Sequence, residues 1–207
     1  MAQQTSSSEY YRQHAKDYDA SAFRTMAIRH QTISKLSLKP GDCVVDVGCG
    51  TGLSLPILLD AIGSAGVLIG IEQSASMIEL ARQRMATADP ELVSLIEASA
   101  EDVVLTQKVD ALLFHYTHDV TQSPESLKNL FRFAKPGACV AVAGIKHPPR
   151  WIDPLRLYRR FKSHHCYNNG QGLDEPWKLL QTYVPDLQVK QTLWGTGFIA
   201  WGVMAHQ

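Results

Sequence analysis

Two histidines and a tyrosine stand together in the segment 115–118, which reads His-Tyr-Thr-His and follows the apolar run 109–114. Histidine titrates near neutral pH, so either ring is a candidate to remove a proton from a reactant. The apolar run predicts a buried strand, and ligands of open α/β sheets bind at the carboxyl ends of strands. A metal site would need a third ligand, which this pair does not supply. We therefore predict proton transfer or pocket lining for His115 and His118.

A glycine-rich turn stands earlier in the chain, where residues 43–52 read C-V-V-D-V-G-C-G-T-G. The β-branched residues predict a buried strand, and the glycines let the backbone turn sharply and approach a ligand closely. The apolar residues after Gly52 predict a helix with Pro56 in its first turn. A strand, turn and helix in this order cradle a nucleotide at the carboxyl end of the strand.

The spacing of these glycines separates two classes of nucleotide. A dinucleotide site has G-x-G-x-x-G, whereas here the third glycine comes one residue early and Leu53 takes its place. G-x-G-x-G after an apolar run and an acid resembles motif I of the class I S-adenosylmethionine-dependent methyltransferases. A plain tight turn between strand and helix is the alternative. The resemblance implies that the cofactor is bound by Asp46, Gly48, Cys49, Gly50 and Gly52.

A second acid, Glu72, ends the apolar run 67–71 and lies 22 residues after Gly50. That offset is expected of a carboxylate that accepts hydrogen bonds from the two ribose hydroxyls; capping of the next helix is the alternative. The residues that follow resemble the family's acid-x-Ser-x-x-Met segment. This resemblance implies cofactor contacts for Gln73 and for Met77, which would pack near the adenine or, equally well, in the core.

The adenine site departs from the family pattern. After the third predicted strand, 92–96, the family often carries an acid that meets the adenine amino group, and this chain has Ser99 there. A hydroxyl accepts a hydrogen bond less strongly than a carboxylate does. The backbone N–H of Ala100 or Glu101 is the alternative contact to the ring, and Glu101 can instead cap the next helix.

The end of the fourth predicted strand carries the last part of the resemblance. In the family the residue at this end touches the methionine part of the cofactor, which implies that role for Phe114 and His115. The next residues line the acceptor pocket, so Tyr116 is a candidate to bind the acceptor.

The N-terminal pattern Tyr11-x-x-x-Ala15-x-x-Tyr18 predicts a helix with one apolar face. It resembles the helix that closes over cofactor and substrate in small-molecule methyltransferases. The resemblance implies a cofactor contact for Tyr18 and an acceptor contact for Tyr11. A plain amphipathic helix that docks on the core is the alternative.

Residues 146–173 fit no core element and are rich in proline, histidine, arginine and aromatic residues. Because this insertion follows the fifth predicted strand, we expect it to cover the site as a lid. His147, Trp151 and Tyr158 are then candidates to bind the acceptor. A solvated helix, or a basic helix that lies on an anionic membrane, is the alternative.

Strand and helix patterns alternate up to residue 145, and the chain ends with a hairpin pattern around residues 194–197. We predict an α/β doubly wound, Rossmann-like sheet of seven strands with the last antiparallel, in one domain. Its parts are an N-terminal helical cap (1–40), a cofactor-binding core (41–145), the lid insertion (146–173), and a terminal helix with the hairpin (174–207).

Composition narrows the class of partner. The 207 residues have a net charge of zero and an ordinary hydrophobic content of 45%, so the basic surplus of nucleic-acid-binding proteins is missing. Four cysteines without a C-x-x-C pair predict reduced thiols. With no secretory pattern and no apolar run of membrane-spanning length, we expect a cytoplasmic monomer or homodimer that binds a small molecule.

These patterns together predict methyl transfer from S-adenosylmethionine to an O, N, S or C atom of a small molecule, which leaves S-adenosylhomocysteine. Alignment of the two reactants would supply most of the acceleration. A base is needed only if the acceptor loses a proton, and His118 or His115 is the candidate. The alternative is a non-catalytic S-adenosylmethionine-binding protein that senses or scaffolds. Leu53 and the terminal hairpin disfavour a dinucleotide oxidoreductase.

Overall fold

A computed structural model describes residues 25–147 and 173–205, and in that part of the chain seven strands and five α-helices are present. The strands in chain order are β1 Cys43–Val47, β2 Val67–Glu72, β3 Val93–Glu97, β4 Val109–His115, β5 Ala134–Ile145, β6 Gln188–Thr192 and β7 Gly197–Val203. The helices are α1 Met26–Ile33, α2 Leu55–Ile62, α3 Ala75–Arg84, α4 His118–Thr121 and α5 Pro124–Phe131.

The strands form one sheet in the order β3-β2-β1-β4-β5-β7-β6. The neighbours from β3 to β5 pair in parallel, and β7 pairs antiparallel with both β5 and β6. The predicted seven-stranded sheet with its antiparallel last strand is therefore confirmed. After β1 the chain builds outward to β3 and then returns to place β4 on the other side of β1. This reversal opens a crevice at the carboxyl ends of β1 and β4.

The core lies on both faces of the sheet, which explains why β1 reads as a continuous apolar run. Val45 and Val47 pack in one hydrophobic cluster and Val44 packs in the other. Residues of α1, α2 and α3 cover the face of Val44, whereas α5 covers the opposite face. The exception in the run is Asp46, a carboxylate that is only 1% exposed in the middle of this core.

Several element boundaries differ from the sequence prediction. In the predicted N-terminal helical cap, 1–40, the described helical part is α1 followed by a 3-10 turn, Ser34–Leu36. The Lys-Pro-Gly sequence at residues 135–137 is a local turn signal, yet it lies inside β5, because Ala134 already pairs with Val109 before the register shifts. An irregular ladder of this kind accommodates a proline, which has no N–H, and a glycine at φ +80°. The predicted helix after residue 173 is reduced to turns and a 3-10 helix, Lys178–Thr182.

Within the two described ranges, we find no helix with both the length and the apolar character needed to cross a lipid bilayer.

Candidate functional site

The turn after β1 is built on three glycines with left-handed backbones: Gly48 at φ +64°, Gly50 at φ +57° and Gly52 at φ +80°. A Cβ added to Gly48 would collide with the side chain of Thr117, and one added to Gly52 would lie 2.8 Å from Leu55 Cδ1. At Gly50 an added Cβ would meet nothing within 4 Å. Two glycines therefore pack the turn against the protein, and Gly50 presents its backbone to open space, where a ligand can approach it.

Glu72 connects this turn to the start of α3. Its Oε2 accepts a hydrogen bond from the Gly50 N–H at 3.0 Å, and its Oε1 accepts one from the Ser74 N–H at 2.9 Å. Burial raises the pKa of Glu72, and these two backbone hydrogen bonds oppose that rise. Each carboxylate oxygen keeps a second lone pair for a ligand hydroxyl. Glu72 thus holds the start of α3, which agrees with the alternative prediction that it caps the next helix. It also lies beside the open face of Gly50.

Asp46 is a buried carboxylate whose two oxygens have no hydrogen-bond partner among the described residues. Burial raises its pKa from 3.8 to about 7; the positive charge of Arg29 opposes this shift and the negative charge of Glu72 adds to it. Buried polar groups in proteins are nearly always paired, because an unpaired one loses its hydration without compensation. A cationic ligand group next to β1 would supply the missing partner, and the ammonium of S-adenosylmethionine is such a group.

His115, the last residue of β4, belongs to a buried hydrogen-bond cluster that the sequence did not predict. The Nη1 atom of Arg29 lies 2.7 Å from Ser54 Oγ, and Ser54 Oγ lies 3.0 Å from His115 Nδ1. The Nε2 atom of His115 is buried and has no partner in the described part of the chain. Burial, and then the charge of Arg29, lower the pKa of this histidine well below 6.5, so the ring is neutral.

His118 stands in a different environment at the start of α4. Its Nε2 accepts the N–H of Ile145 at 3.2 Å, and its ring packs beside Gly144 and Phe198. Burial lowers the pKa of His118, opposed by the charge of Asp119. A neutral ring that accepts at Nε2 carries its proton on Nδ1 and has no free lone pair. The ring can therefore act as a base only if the hydrogen bond to Ile145 opens, and its catalytic role stays a prediction.

Most of the residues predicted near the adenine either form hydrogen bonds with other protein side chains or are buried. Ser99 Oγ donates to Asp102 at 2.7 Å, and Glu101 Oε1 accepts from Ser123 Oγ at 3.0 Å. Ala100 is 9% exposed and Met77 is 4% exposed, so both are buried. Gln73 is exposed directly after Glu72. Contacts of these residues with an adenine ring stay predictions.

Among the residues predicted to bind the acceptor, Tyr116 has a left-handed backbone at φ +61°, which is unusual for a bulky residue and typical of functional sites. Its N–H donates to the carbonyl of Ala143 at 2.8 Å. His147 N–H donates to the carbonyl of Leu173 at 2.9 Å, so the two ends of the insertion meet beyond the carboxyl end of β5. Phe114 lies in the hydrophobic core and is fully buried.

Four of the predicted site residues lie outside the described residues: Tyr11, Tyr18, Trp151 and Tyr158. The described part contains no group of three or more His, Cys, Asp or Glu side chains that could hold a metal ion. Cys43, Cys49 and Cys139 are free thiols, and Cys166 is not described.

Sequence reasoning missed Arg29 and Ser54. Arg29 had a signal, because it shares one helical face with Met26 and Ile33, at i, i+3 and i+7, where an arginine is buried only if it is paired. Ser54 follows the glycine turn and is fully buried, and its sequence position alone does not distinguish it from a helix cap.

Comparison with known proteins gives a match of residues 38–187 to the family described as "Methyltransferase domain". The chain is 32% identical over 123 residues to a 2-phytyl-1,4-naphtoquinone methyltransferase of Nostoc sp., covering 58% of this chain and 54% of that protein. It is 26% identical over 137 residues to a demethylmenaquinone methyltransferase of Listeria monocytogenes, covering 64% of this chain and 58% of the relative. The chain therefore spans little more than half the length of these curated relatives.

A solved structure has the same fold. It is described as a SAM dependent methyltransferase from Aquifex aeolicus, and it superimposes with a TM-score of 0.61 at 21% sequence identity. The superposition covers 86% of this chain and 89% of that one.

Proposed function

Because this chain belongs to the methyltransferase domain family, we propose that it transfers a methyl group from S-adenosylmethionine to a small molecule and releases S-adenosylhomocysteine. The family match confirms the resemblance predicted from the glycine turn, and it supports S-adenosylmethionine as the cofactor. The observation that carries the proposal is the open face of Gly50 beside the carboxylate of Glu72.

The residues present fit the two ends of this cofactor. Glu72 has lone pairs available for the ribose hydroxyls, and Gly50 lets the ligand approach the backbone. At the other end, the unpaired carboxylate of Asp46 suits the ammonium group. When bound, the cofactor supplies an electrophilic methyl group on its sulfonium, and the protein's task is to align an acceptor atom with it.

For the acceptor, we propose a planar, largely apolar small molecule that carries a ring. Two curated relatives are named as methyltransferases of 2-phytyl-1,4-naphtoquinone and of demethylmenaquinone. Gly197, the first residue of β7, pairs with Ile145 at the carboxyl end of β5. The turn before it therefore lies at the same edge of the sheet as the cofactor crevice, and it exposes Trp194 by 93% and Leu193 by 53%. These side chains offer the apolar and aromatic surface that such an acceptor needs.

Three measurements test the proposed function. Calorimetric titration should first show binding of S-adenosylhomocysteine. The protein should then form S-adenosylhomocysteine from S-adenosylmethionine in the presence of a reduced naphthoquinone or a simpler phenol, with the methylated product identified by mass spectrometry. A flavin or nicotinamide cofactor should not compete. Tight binding without turnover on any acceptor would favour the non-catalytic sensor or scaffold, and absence of binding would refute both.

A further inference from the structure

The buried cluster at the end of β4 fixes which ring nitrogen of His115 carries the proton. A guanidinium can only donate hydrogen bonds, so Ser54 Oγ accepts from Arg29 Nη1 at 2.7 Å. The single hydroxyl proton of Ser54 then points to His115 Nδ1 at 3.0 Å, and Arg29 Nη1 lies 3.5 Å from the same nitrogen. Arg29 can only donate, and Ser54 Oγ has no partner besides Arg29 and His115 among the described residues, so the acceptor for its proton is Nδ1. Nδ1 is therefore the acceptor of the neutral ring, and Nε2 carries the hydrogen.

The chain of donors ends in an N–H that lacks an acceptor. His115 is 5% exposed, and its Nε2 has no partner among the described residues. Val47 pairs with Phe114, so His115 and Asp46 stand on neighbouring strands at the same end of the sheet. His115 offers an unpaired N–H next to the buried guanidinium of Arg29, and Asp46 offers an unpaired carboxylate. An amino-acid zwitterion has the matching pair of groups, a carboxylate and an ammonium.

We propose that Arg29 and Ser54 are positioning residues that hold His115 as a neutral Nε2–H donor to the carboxylate at the amino-acid end of the cofactor. This assignment rests on the proposed function, because it requires S-adenosylmethionine to bind in the crevice. His115 is then a cofactor-binding residue and not a base: its Nδ1 is occupied, and a second proton would place a positive charge directly beside Arg29.

Two ligands separate this role from a general structural one. S-adenosylhomocysteine has the amino-acid end, whereas 5′-methylthioadenosine has the adenine, ribose and sulfur without it. His115→Asn and Arg29→Met should weaken S-adenosylhomocysteine binding about 10- to 100-fold, the loss expected for a hydrogen bond to a charged group. The same variants should bind 5′-methylthioadenosine within about threefold of the wild type, since that ligand makes no contact with the cluster.

Conservative and control variants sharpen the test. His115→Gln should retain more affinity for S-adenosylhomocysteine than His115→Asn, because the longer amide places its N–H near the position of Nε2. Arg82→Met, on an exposed arginine of α3, should leave the affinity for both ligands unchanged. Equal weakening of both ligands by the His115 and Arg29 variants would overturn the proposal, since it would mean only a distorted pocket.

A measurement on the wild-type protein covers the case in which a variant does not fold. Nitrogen-15 NMR of histidine-labelled protein at about pH 7 should show His115 protonated at Nε2 and unprotonated at Nδ1; a proton on Nδ1 would overturn the assignment. If wild-type protein binds neither ligand, the proposed function fails and the inference fails with it. If it binds both and only the variant pattern differs, the inference alone fails.

Discussion

Two regions at the carboxyl edge of the sheet differ in how far their ionisable side chains are paired by the protein. In the proposed cofactor region, formed by Asp46, the turn 48–52, Glu72 and His115, a carboxylate and a ring nitrogen are buried without a partner among the described residues. In the proposed acceptor region, the backbone supplies partners to Tyr116, His118 and the joined ends of the insertion at His147 and Leu173, and the uncharged Thr117 Oγ1 is buried without a partner among the described residues.

Under the proposed function, this difference marks the place where the fold gives up stability for binding. A buried carboxylate that is unpaired opposes folding, and it persists only when the surrounding structure compensates for it. The cofactor region is therefore prepared for one charged ligand and should respond sharply to small changes. The acceptor region is held by backbone hydrogen bonds, so changes to single side chains there should affect stability more than chemistry. The predictions below test that contrast.

Gly50→Val should have the largest effect. Its branched side chain would occupy the space above the turn, so we expect S-adenosylhomocysteine affinity to fall by more than about 100-fold, measured by calorimetry. Gly63→Val is the matched control, because Gly63 has a similar φ of +64° and equally open space but lies at the far end of α2. Equal losses in both variants would show that backbone strain, and not a blocked ligand, is responsible.

Glu72→Gln should come next, with a loss of about 10- to 100-fold in affinity. The amide keeps the size of the side chain but removes the charge and one acceptor oxygen that faces the ribose. S-adenosylhomocysteine and 5′-methylthioadenosine should weaken alike, because both carry the ribose. The control is Glu97→Gln, since Glu97 pairs with Glu72 in register at the end of β3. Unchanged binding in Glu72→Gln would remove the ribose assignment.

Asp46→Asn should weaken cofactor binding about tenfold or more and yet stabilise the ligand-free protein. The pKa of Asp46 in the folded state, about 7, lies above its ordinary value of 3.8. As pH rises between these values the unfolded chain releases a proton that the folded protein keeps, so wild-type stability falls, and above about pH 7 this loss is complete. Asp46→Asn has no carboxyl group at this position, so its stability does not fall in this way.

Chemical denaturation at several pH values measures this effect. The free energies of unfolding of Asp46→Asn and wild type should agree near pH 4 and differ by up to about 4 kcal/mol near pH 8. Asp60→Asn, on an exposed residue of α2, should follow the wild type at every pH. A variant less stable than the wild type at high pH would mean that Asp46 has a stabilising partner in the folded protein.

The sequence predicted the sheet and the glycine turn because both depend on local patterns. Strands buried on two faces read as apolar runs, and left-handed turns read as glycines, so β1, β2 and the turn at Gly50 were visible. Local patterns fail at residues 135–137, where pairing of Ala134 with Val109 overrides a local turn signal.

Contacts between distant residues were not predictable in the same way. Arg29 lies 25 residues from Ser54 and 86 residues from His115 in the chain, so only the folded sheet brings the three together. The left-handed backbone of Tyr116, whose N–H donates to the carbonyl of Ala143, was not predictable either, because a tyrosine gives no local signal for that conformation.

Substitution of His118 should have the smallest effect on catalysis. If its main role is the hydrogen bond to Ile145, His118→Ala should lower the free energy of unfolding by about 1–3 kcal/mol and reduce kcat less than about tenfold. His118→Gln, whose amide can keep a hydrogen bond there, should recover part of the stability.

If His118 were a catalytic base, the two variants would behave differently: both would lose about 100-fold or more in kcat with cofactor affinity intact. The wild-type rate would also rise with pH through a pKa below 6.5, since burial lowers the pKa of His118, and would be constant above it. Steady-state kinetics with an accepted methyl acceptor, measured over pH for all three proteins, decide between the two roles. We expect the structural one, because the lone pair that a base needs is already used by the backbone of β5.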